Sequence, residues 1–448
     1  MSTILSASTP PAHATDQIEQ FIGEMVATFQ PENPAAPGMR GRPRIVPALC
    51  LWTGVLFCVL RGMRHQRALW RLLTQRSLWF YPRFAVTDDA IYKRLERDGT
   101  APMTTLLTQI TSVLAARLEP YAQHTLAPFA SAVFALDETT LDRLARRLPV
   151  LRGLPPDDPR LLGGTLTGLF DVRRQLWHRV RYRSDWQQNE KVLAREMVEA
   201  LPEGSLILAD LGYFGFAWFD HLTDAGYHWI SRMRSKTSYQ VLHTFYHRGD
   251  TFDGIVFLGK YRADRGRYAV RLIEFRVGST LHRSITNVLD PHLLTPRMAA
   301  ELYARRWDFE LAVNTGKTHL GLHLLWSAKP VVIEQQLLAV IIIAQIFQAL
   351  RLEVAGRAGV DPFEVSLPLL IEYLPQFAAR GLDPVEAFLT NARDVGFIRP
   401  SSRTRIQAPD IPPDDLLPCP PDLVLVRASR HPNRNCGPRH DRAHPRSI

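Results

Sequence analysis

Lysine is nearly missing from this chain. Six lysines stand among 448 residues, in a total of 54 lysines and arginines, so arginine carries almost all the positive charge. A guanidinium offers phosphate a planar fork where an ammonium offers a point charge. A G+C-rich genome produces the same skew, and the two readings do not compete. Cysteine is scarce too: Cys50, Cys58, Cys419 and Cys436, with no C-x-x-C pair. That excludes a disulfide scaffold and suits a reducing compartment. Cys419, His431, Cys436 and His440 follow no common zinc-finger spacing. Long apolar runs are also lacking. The strongest, Leu337 to Ala344, is far too short to span a bilayer and sits between Glu334-Gln335-Gln336 and Gln345, so it reads as part of a buried helix. Ser2 to Gln17 has neither the basic start nor the apolar centre of a secretory signal. The expectation is a cytoplasmic protein with no membrane partner.

What is present is a chain with enough apolar residues, 46%, for two or three domains. At 22% charged residues it has the balance of a globular protein. A formal charge of +10 and a pI near 9.6 favour a polyanionic partner, most simply nucleic acid.

Periodicity divides the chain into six stretches. Residues 1–44 hold an amphipathic helix, Thr15 to Phe29, and a Pro/Gly-rich basic linker from Pro31 to Pro43. Residues 45–125 read as all-helical, either a DNA-binding module or a platform packed on the catalytic core. Residues 126–231 give the order β-β-β-α-β-α-β, with strands at Ala130 to Asp137, Gly164 to Arg173, Leu176 to Arg183, Ser205 to Asp210 and Tyr227 to Ser231. In the third strand, alternation puts Trp177, Arg179, Arg181 and Arg183 on one face. Residues 232–292 read as a β-rich insertion. Residues 293–395 are helical, with one helix from Thr295-Pro296 to about Gly316 and a buried one from Val331 to Val354. Residues 396–448 read as a disordered basic tail rich in Pro, Arg and His. The fold class expected is α/β, a mixed sheet core with a helical N-terminal region.

Three acids stand out against this frame. Asp137 closes the apolar run Phe134-Ala135-Leu136, and Asp210 closes Leu206-Ile207-Leu208-Ala209. Glu310 lies in the helical stretch from Tyr303 to Lys317. Carboxylates on strand ends and on a facing helix are held rigidly and can converge. Hard oxygen ligands of this kind suit divalent ions that cut phosphodiesters. Either aspartate alone reads more simply as a solvent-facing residue at a strand end; two of them, each after an apolar run and followed by a helix-borne Glu, favour function. Positions 303, 310 and 317 are seven apart and drift only about 20° per step around a helix. Arg306 is one turn before Glu310 on that face. Tyr303, Arg306, Glu310 and Lys317 thus form one polar stripe, which reads either as a phosphate clamp or as an ordinary ion-paired helix face.

The stripe resembles the Tyr-x2-Arg-x3-Glu-x6-Lys signature of bacterial insertion-sequence DDE transposases, matching at Tyr303, Arg306, Glu310 and Lys317. Leu136-Asp137-Glu138-Thr139-Thr140 is similar to the first-aspartate motif of that family, and Asp210-Leu211-Gly212-Tyr213-Phe214 to the second. Ser284-Ile285-Thr286-Asn287 is similar to the strand before its Glu helix, and the likeness covers about residues 45–350. The resemblance implies a ribonuclease-H-like core whose Asp137, Asp210 and Glu310 are catalytic and hold two Mg2+ ions, with Mn2+ able to replace them. It implies Tyr303, Arg306 and Lys317 on DNA phosphates, and double-stranded DNA (element ends and target) as partner. It also implies a homodimer pairing two ends, and cut-and-paste transposition with strand transfer through a hairpin. Departures are Glu138 where glycine is frequent, Leu211 where arginine is, and Asn314 where a second basic residue is.

Two shorter motifs have plainer alternatives. Arg40-Gly41-Arg42-Pro43 has the form of a minor-groove hook, with Arg40 and Arg42 as DNA contacts; a basic linker is the alternative. Gly316-Lys317-Thr318 lacks the upstream glycine of a phosphate loop, since Leu311 stands there, and lies within a helical pattern. The rivals to a transposase are a related nuclease without strand transfer and a catalytically inactive DNA-binding remnant.

Overall fold

A computed structural model describes residues 45–76, 83–141, 164–184, 190–260, 265–322, 325–327, 329–390, 392–401 and 407–427. The expected helix Thr15 to Phe29, the linker with Arg40 and Arg42, and the chain beyond residue 427 lie outside the described residues.

A mixed sheet of nine strands organises the molecule: β1 (Val133–Thr140), β2 (Thr165–Asp171), β3 (Leu176–Arg183), β4 (Leu206–Ala209), β5 (His228–Arg232), β6 (Tyr239–Arg248), β7 (Thr251–Leu258), β8 (Val270–Val277) and β9 (Thr280–Thr286), in the order β3-β2-β1-β4-β5-β9-β8-β7-β6. β1, β2 and β3 are antiparallel neighbours, whereas β4 runs parallel to β1 and β5 parallel to β4. Strands covered on both faces read as continuous apolar runs, and Val133 to Leu136 and Leu206 to Ala209 are buried throughout.

The two faces carry different helices. Phe134, Leu136, Ile207 and Ala209 pack with α5 (Glu190–Val198) and α6 (Phe216–Asp224), which cross between the parallel strands. Val133, Ala135, Leu206 and Leu208 turn to the opposite core. That core contains α1 (Ala48–Leu60), α4 (Ala101–Leu118), α8 (Trp307–His319) and α9 (Pro330–Ala358). α9 is apolar on all sides because it is buried on all sides, and its amides serve its neighbours. Gln335 Nε2 donates to Leu95 O at 2.7 Å and Gly99 O at 2.6 Å, and Gln345 Nε2 to Thr111 Oγ1 at 2.9 Å. The 45–125 helices, including α2 (Arg67–Arg71) and α3 (Asp88–Asp98), thus pack as a platform around α9. α9 is long and apolar enough to cross a membrane, but here it is the core of that helical layer.

The structure corrects several sequence expectations. β1 runs on to Thr140, so Asp137 is inside the strand, paired with Gly168, rather than at its end. The single helix expected from Thr295 to Gly316 is two, α7 (Pro296–Ala304) and α8, broken at Arg305–Arg306. In β3 a bulge makes His178 the extra residue, because Leu169 pairs with Arg179 and Phe170 with Trp177. Trp177 therefore joins Val180 in the α9 core instead of sharing a face with Arg179. The expected β-rich stretch 232–292 supplies β6 to β9, and β9 pairs with β5 and prolongs the same sheet, covering what would be an open edge.

Much of the tail is also ordered. Residues 407–427 lie along the far end of the sheet, where Leu417 N donates to Phe245 O at 2.8 Å, Ala269 N to Leu425 O at 2.7 Å and Arg427 N to Arg267 O at 2.9 Å. Backbone pairing of this kind leaves no apolar period, which is why composition reads the segment as disordered. Before it, Phe397 stacks on Phe388 and Ile398 bridges to Val365, below α10 (Leu367–Ala379) and α11 (Pro384–Thr390).

Candidate active site

Strand parity decides where the two aspartates face. Along β1, Val133 and Ala135 turn to the α8–α9 side, and Asp137 is next in that series. Along β4, Leu206 and Leu208 turn the same way, and Asp210 comes just past the strand. The parallel pairing ends with Leu136 opposite Ala209, so Asp137 and Asp210 are the next step of one register. Ligands gather outside the carboxyl ends of parallel strands in open α/β sheets.

The helix break supplies the third acid and its counter-charge. Arg306 N donates to Tyr303 O at 3.1 Å, Asp308 N to Arg305 O at 2.9 Å and Phe309 N to Arg306 O at 3.2 Å, a tightened turn between α7 and α8. Buried Asp308 fixes it, accepting from Arg305 Nε at 2.6 Å and Gln175 Nε2 at 2.9 Å. The turn brings Arg306 to all three acids. Its Nη1 pairs with Asp137 Oδ2 and lies 3.3 Å from Glu310 Oε1, while its Nε is 3.5 Å from Asp210 Oδ1. Tyr303 donates its hydroxyl to Asp210 Oδ1 at 3.4 Å, and Arg232 stacks over the Tyr303 ring at 5.6 Å.

Burial grades the cluster. Asp137 is the floor, with 12% of its side chain exposed, whereas Asp210 at 41% and Glu310 at 42% form the rim. Burial pushes the Asp137 carboxyl up to about 6, against the pull of Arg306 and the Glu138 amide; Asp210 and Glu310 push it further the same way. Burial raises the Tyr303 phenol to about 12, so it is a neutral donor at physiological pH. Burial also works against the charge of Arg306, but Asp137, Asp210 and Glu310 together outweigh it and hold the guanidinium above its ordinary value.

Lys317 is two turns further along α8 and donates to Thr139 Oγ1 at 2.7 Å and Thr140 O at 3.2 Å, tying the helix to the end of β1. Glu138 is excluded from the cluster by parity. It faces the other side of the sheet, where it accepts from Thr167 Oγ1 at 2.5 Å and Arg183 Nη2 at 2.6 Å. Sequence reasoning missed the Arg305–Asp308–Gln175 brace, Arg232 and Thr139. Asp308 carried a signal, a second acid two residues before Glu310, but only its burial reveals a structural role.

Comparison with known proteins gives a family match and a structural one. Residues 166–346 match the family described as Transposase DDE domain. The span is less than half of the chain. It takes in Asp210, Tyr303, Arg306, Glu310 and Lys317 and begins after Asp137. No curated protein matches the chain. A cryo-EM structure of piggyBac transposase in a synaptic complex with hairpin DNA aligns with 90% of this chain and 85% of its own, at 10% identity and a TM-score of 0.34. So little superposable structure bears no weight in assigning function.

The donor set suits a hard divalent ion: three carboxylates, oxygen donors only, gathered around one positive centre. Their spacing is that of a guanidinium cage. Among the described residues no group of three His, Cys, Asp or Glu side chains stands close enough together to hold an ion.

Proposed function

We propose that this chain is a DDE transposase that cuts at the ends of a DNA element and joins the freed 3′ hydroxyl to target DNA. The observation that carries the proposal is the meeting of Asp137, Asp210 and Glu310, from two strands and a helix, around a single cationic point. The match of residues 166–346 to the transposase family supports it independently. Antiparallel β1–β3 with β4 and β5 parallel to β1 support a ribonuclease-H-like reading of residues 126–231.

Asp137, Asp210 and Glu310 would hold Mg2+ or Mn2+, whose chemistry at such a site is Lewis-acid activation of the nucleophile and stabilisation of the leaving oxygen. The protein's own residues position and neutralise. Tyr303, protonated at working pH, donates a hydrogen bond toward the rim. Arg306 and Lys317 supply positive charge on the helix that faces the sheet end. The net charge of +10 draws the duplex in. In this proposal the 45–125 helices and Arg40 and Arg42 add DNA contacts, and a homodimer pairs two ends through a hairpin intermediate in the cytoplasm.

The test is cleavage of a DNA fragment carrying the element's ends, with Mg2+. Asp137→Ala, Asp210→Ala and Glu310→Gln should each abolish cutting while DNA binding survives. Cutting that persists in all three overturns the proposal. Cutting without 3′-end joining leaves a nuclease that does not transfer strands.

A further inference from the structure

The residue at the centre of the acid cluster is a cation that the chain itself provides. We infer that Arg306 is a resident counter-ion, filling the divalent-metal position of the DNA-free protein, and that a backbone phosphate at the rim must draw it out before metal enters. This rests on the three-acid reading above and goes beyond it.

The geometry argues for exclusion. Three carboxylates at close quarters raise one another's energy unless positive charge lies between them. Here that charge is one guanidinium, within 3.5 Å of Asp210 and 3.3 Å of Glu310 and paired with Asp137. A divalent ion bound by the same oxygens would stand beside this guanidinium and be repelled by it.

The seat is also imperfect. Arg306 is only 7% exposed, yet its Nε makes no hydrogen bond and has only the long 3.5 Å ion pair with Asp210 Oδ1. A buried charged donor held by so long a contact gains from a closer partner, so the closed arrangement is poised to open. A way out exists. Asp210 and Glu310 line the solvent-facing rim, and Trp307, 52% exposed, has its ring 5.1 Å from the guanidinium, an aromatic surface leading outward. A phosphate at that rim offers Arg306 the bidentate partner that suits its fork. Metal and phosphodiester then favour each other's binding, by equal factors in both directions.

The test measures Mn2+ binding by calorimetry, so it does not depend on turnover. The proteins are wild type, Arg306→Gln and Arg306→Lys, each with and without a random-sequence DNA duplex, and with Asp210→Ala to subtract Mn2+ bound by DNA alone. Without DNA, Arg306→Gln should bind Mn2+ at least tenfold more tightly than wild type, and Arg306→Lys, which keeps the charge, should stay near wild type. Duplex should tighten Mn2+ binding by wild type and leave Arg306→Gln nearly unchanged. The wild-type comparison with and without duplex stands even if Arg306→Gln folds poorly. Equal affinities for wild type and Arg306→Gln, or no tightening of wild type by duplex, overturn the inference and leave the three-acid site intact. No Mn2+ binding by any protein overturns both.

Discussion

Gly168 lies opposite Asp137 in the β1–β2 register, on the face that α8 covers, and it offers a way to move the site without touching an acid. A Cβ there would come within 2.5 Å of Trp177 Cζ3 and 2.7 Å of Phe309 Cε2. Both contacts are ring edges of fully buried side chains, packed edge to face with centroids 5.1 Å apart, so neither can swing aside. Ordinary contact begins near about 3.5 Å, so Gly168→Ala must lift Phe309 by about 1 Å. Glu310 is the next residue and moves with it. Overpacking of this kind costs about 1–3 kcal/mol. A misplacement of about 1 Å in a catalytic group costs on the order of 100-fold in rate. Gly168→Ala should therefore unfold at lower denaturant concentration and cleave DNA about 100-fold more slowly while still binding it. Adding Phe309→Leu should restore part of both by vacating the space. Wild-type cleavage and stability in Gly168→Ala would refute the claim that this contact sets the distance between sheet and helix.

Three further outcomes rest on the same geometry. The carboxyl of Asp137, near 6 in the fold and 3.8 in an open chain, favours the protonated folded form. The stabilisation is thus complete below about pH 4 and lost as pH rises through 6, at most roughly 3 kcal/mol. In metal-free buffer Asp137→Asn should gain on wild type by up to that amount between pH 4 and 7, and a pH-independent difference in unfolding free energy would contradict the assignment. Arg271 and Asp253 form a fully buried two-point pair, with both bonds at 2.6 Å, and Arg271 Nη1 also donates to Leu294 O at 2.6 Å. Arg271→Met should cost about 3–5 kcal/mol in chemical denaturation, and adding Asp253→Leu should recover most of it; a single mutant as stable as wild type would sink this. Binding to duplex DNA should weaken steeply as salt rises, and a flat response would rule out an extended phosphate track.

How much could be read in advance depended on which signals are local. Alternation and apolar runs placed the first five strands and the order of α5 and α6 between them, because each burial pattern is written in consecutive residues. The apolar runs marked Asp137 and Asp210, but that they share one face shows only once β1 is laid beside β4. The break at Arg305–Arg306 was not legible, since it depends on Asp308 meeting Gln175, 133 positions away in the chain. Nor was the bulge at His178, which shows only once β3 is laid against β2. The joining of β9 to β5 and the docking of residues 407–427 are backbone pairings between distant segments, and neither leaves a side-chain period. For Arg306, the four-residue step to Glu310 supplied the face but gave no sign that its guanidinium would lie among all three acids.

The most direct test of the central claim is anomalous diffraction at the manganese edge, from crystals of the protein with Mn2+ and a cleaved DNA end. Manganese should appear among the carboxylates of Asp137, Asp210 and Glu310, with the Arg306 side chain turned out onto a phosphate. DNA bound elsewhere on the molecule, or manganese lying away from these three acids, would contradict it.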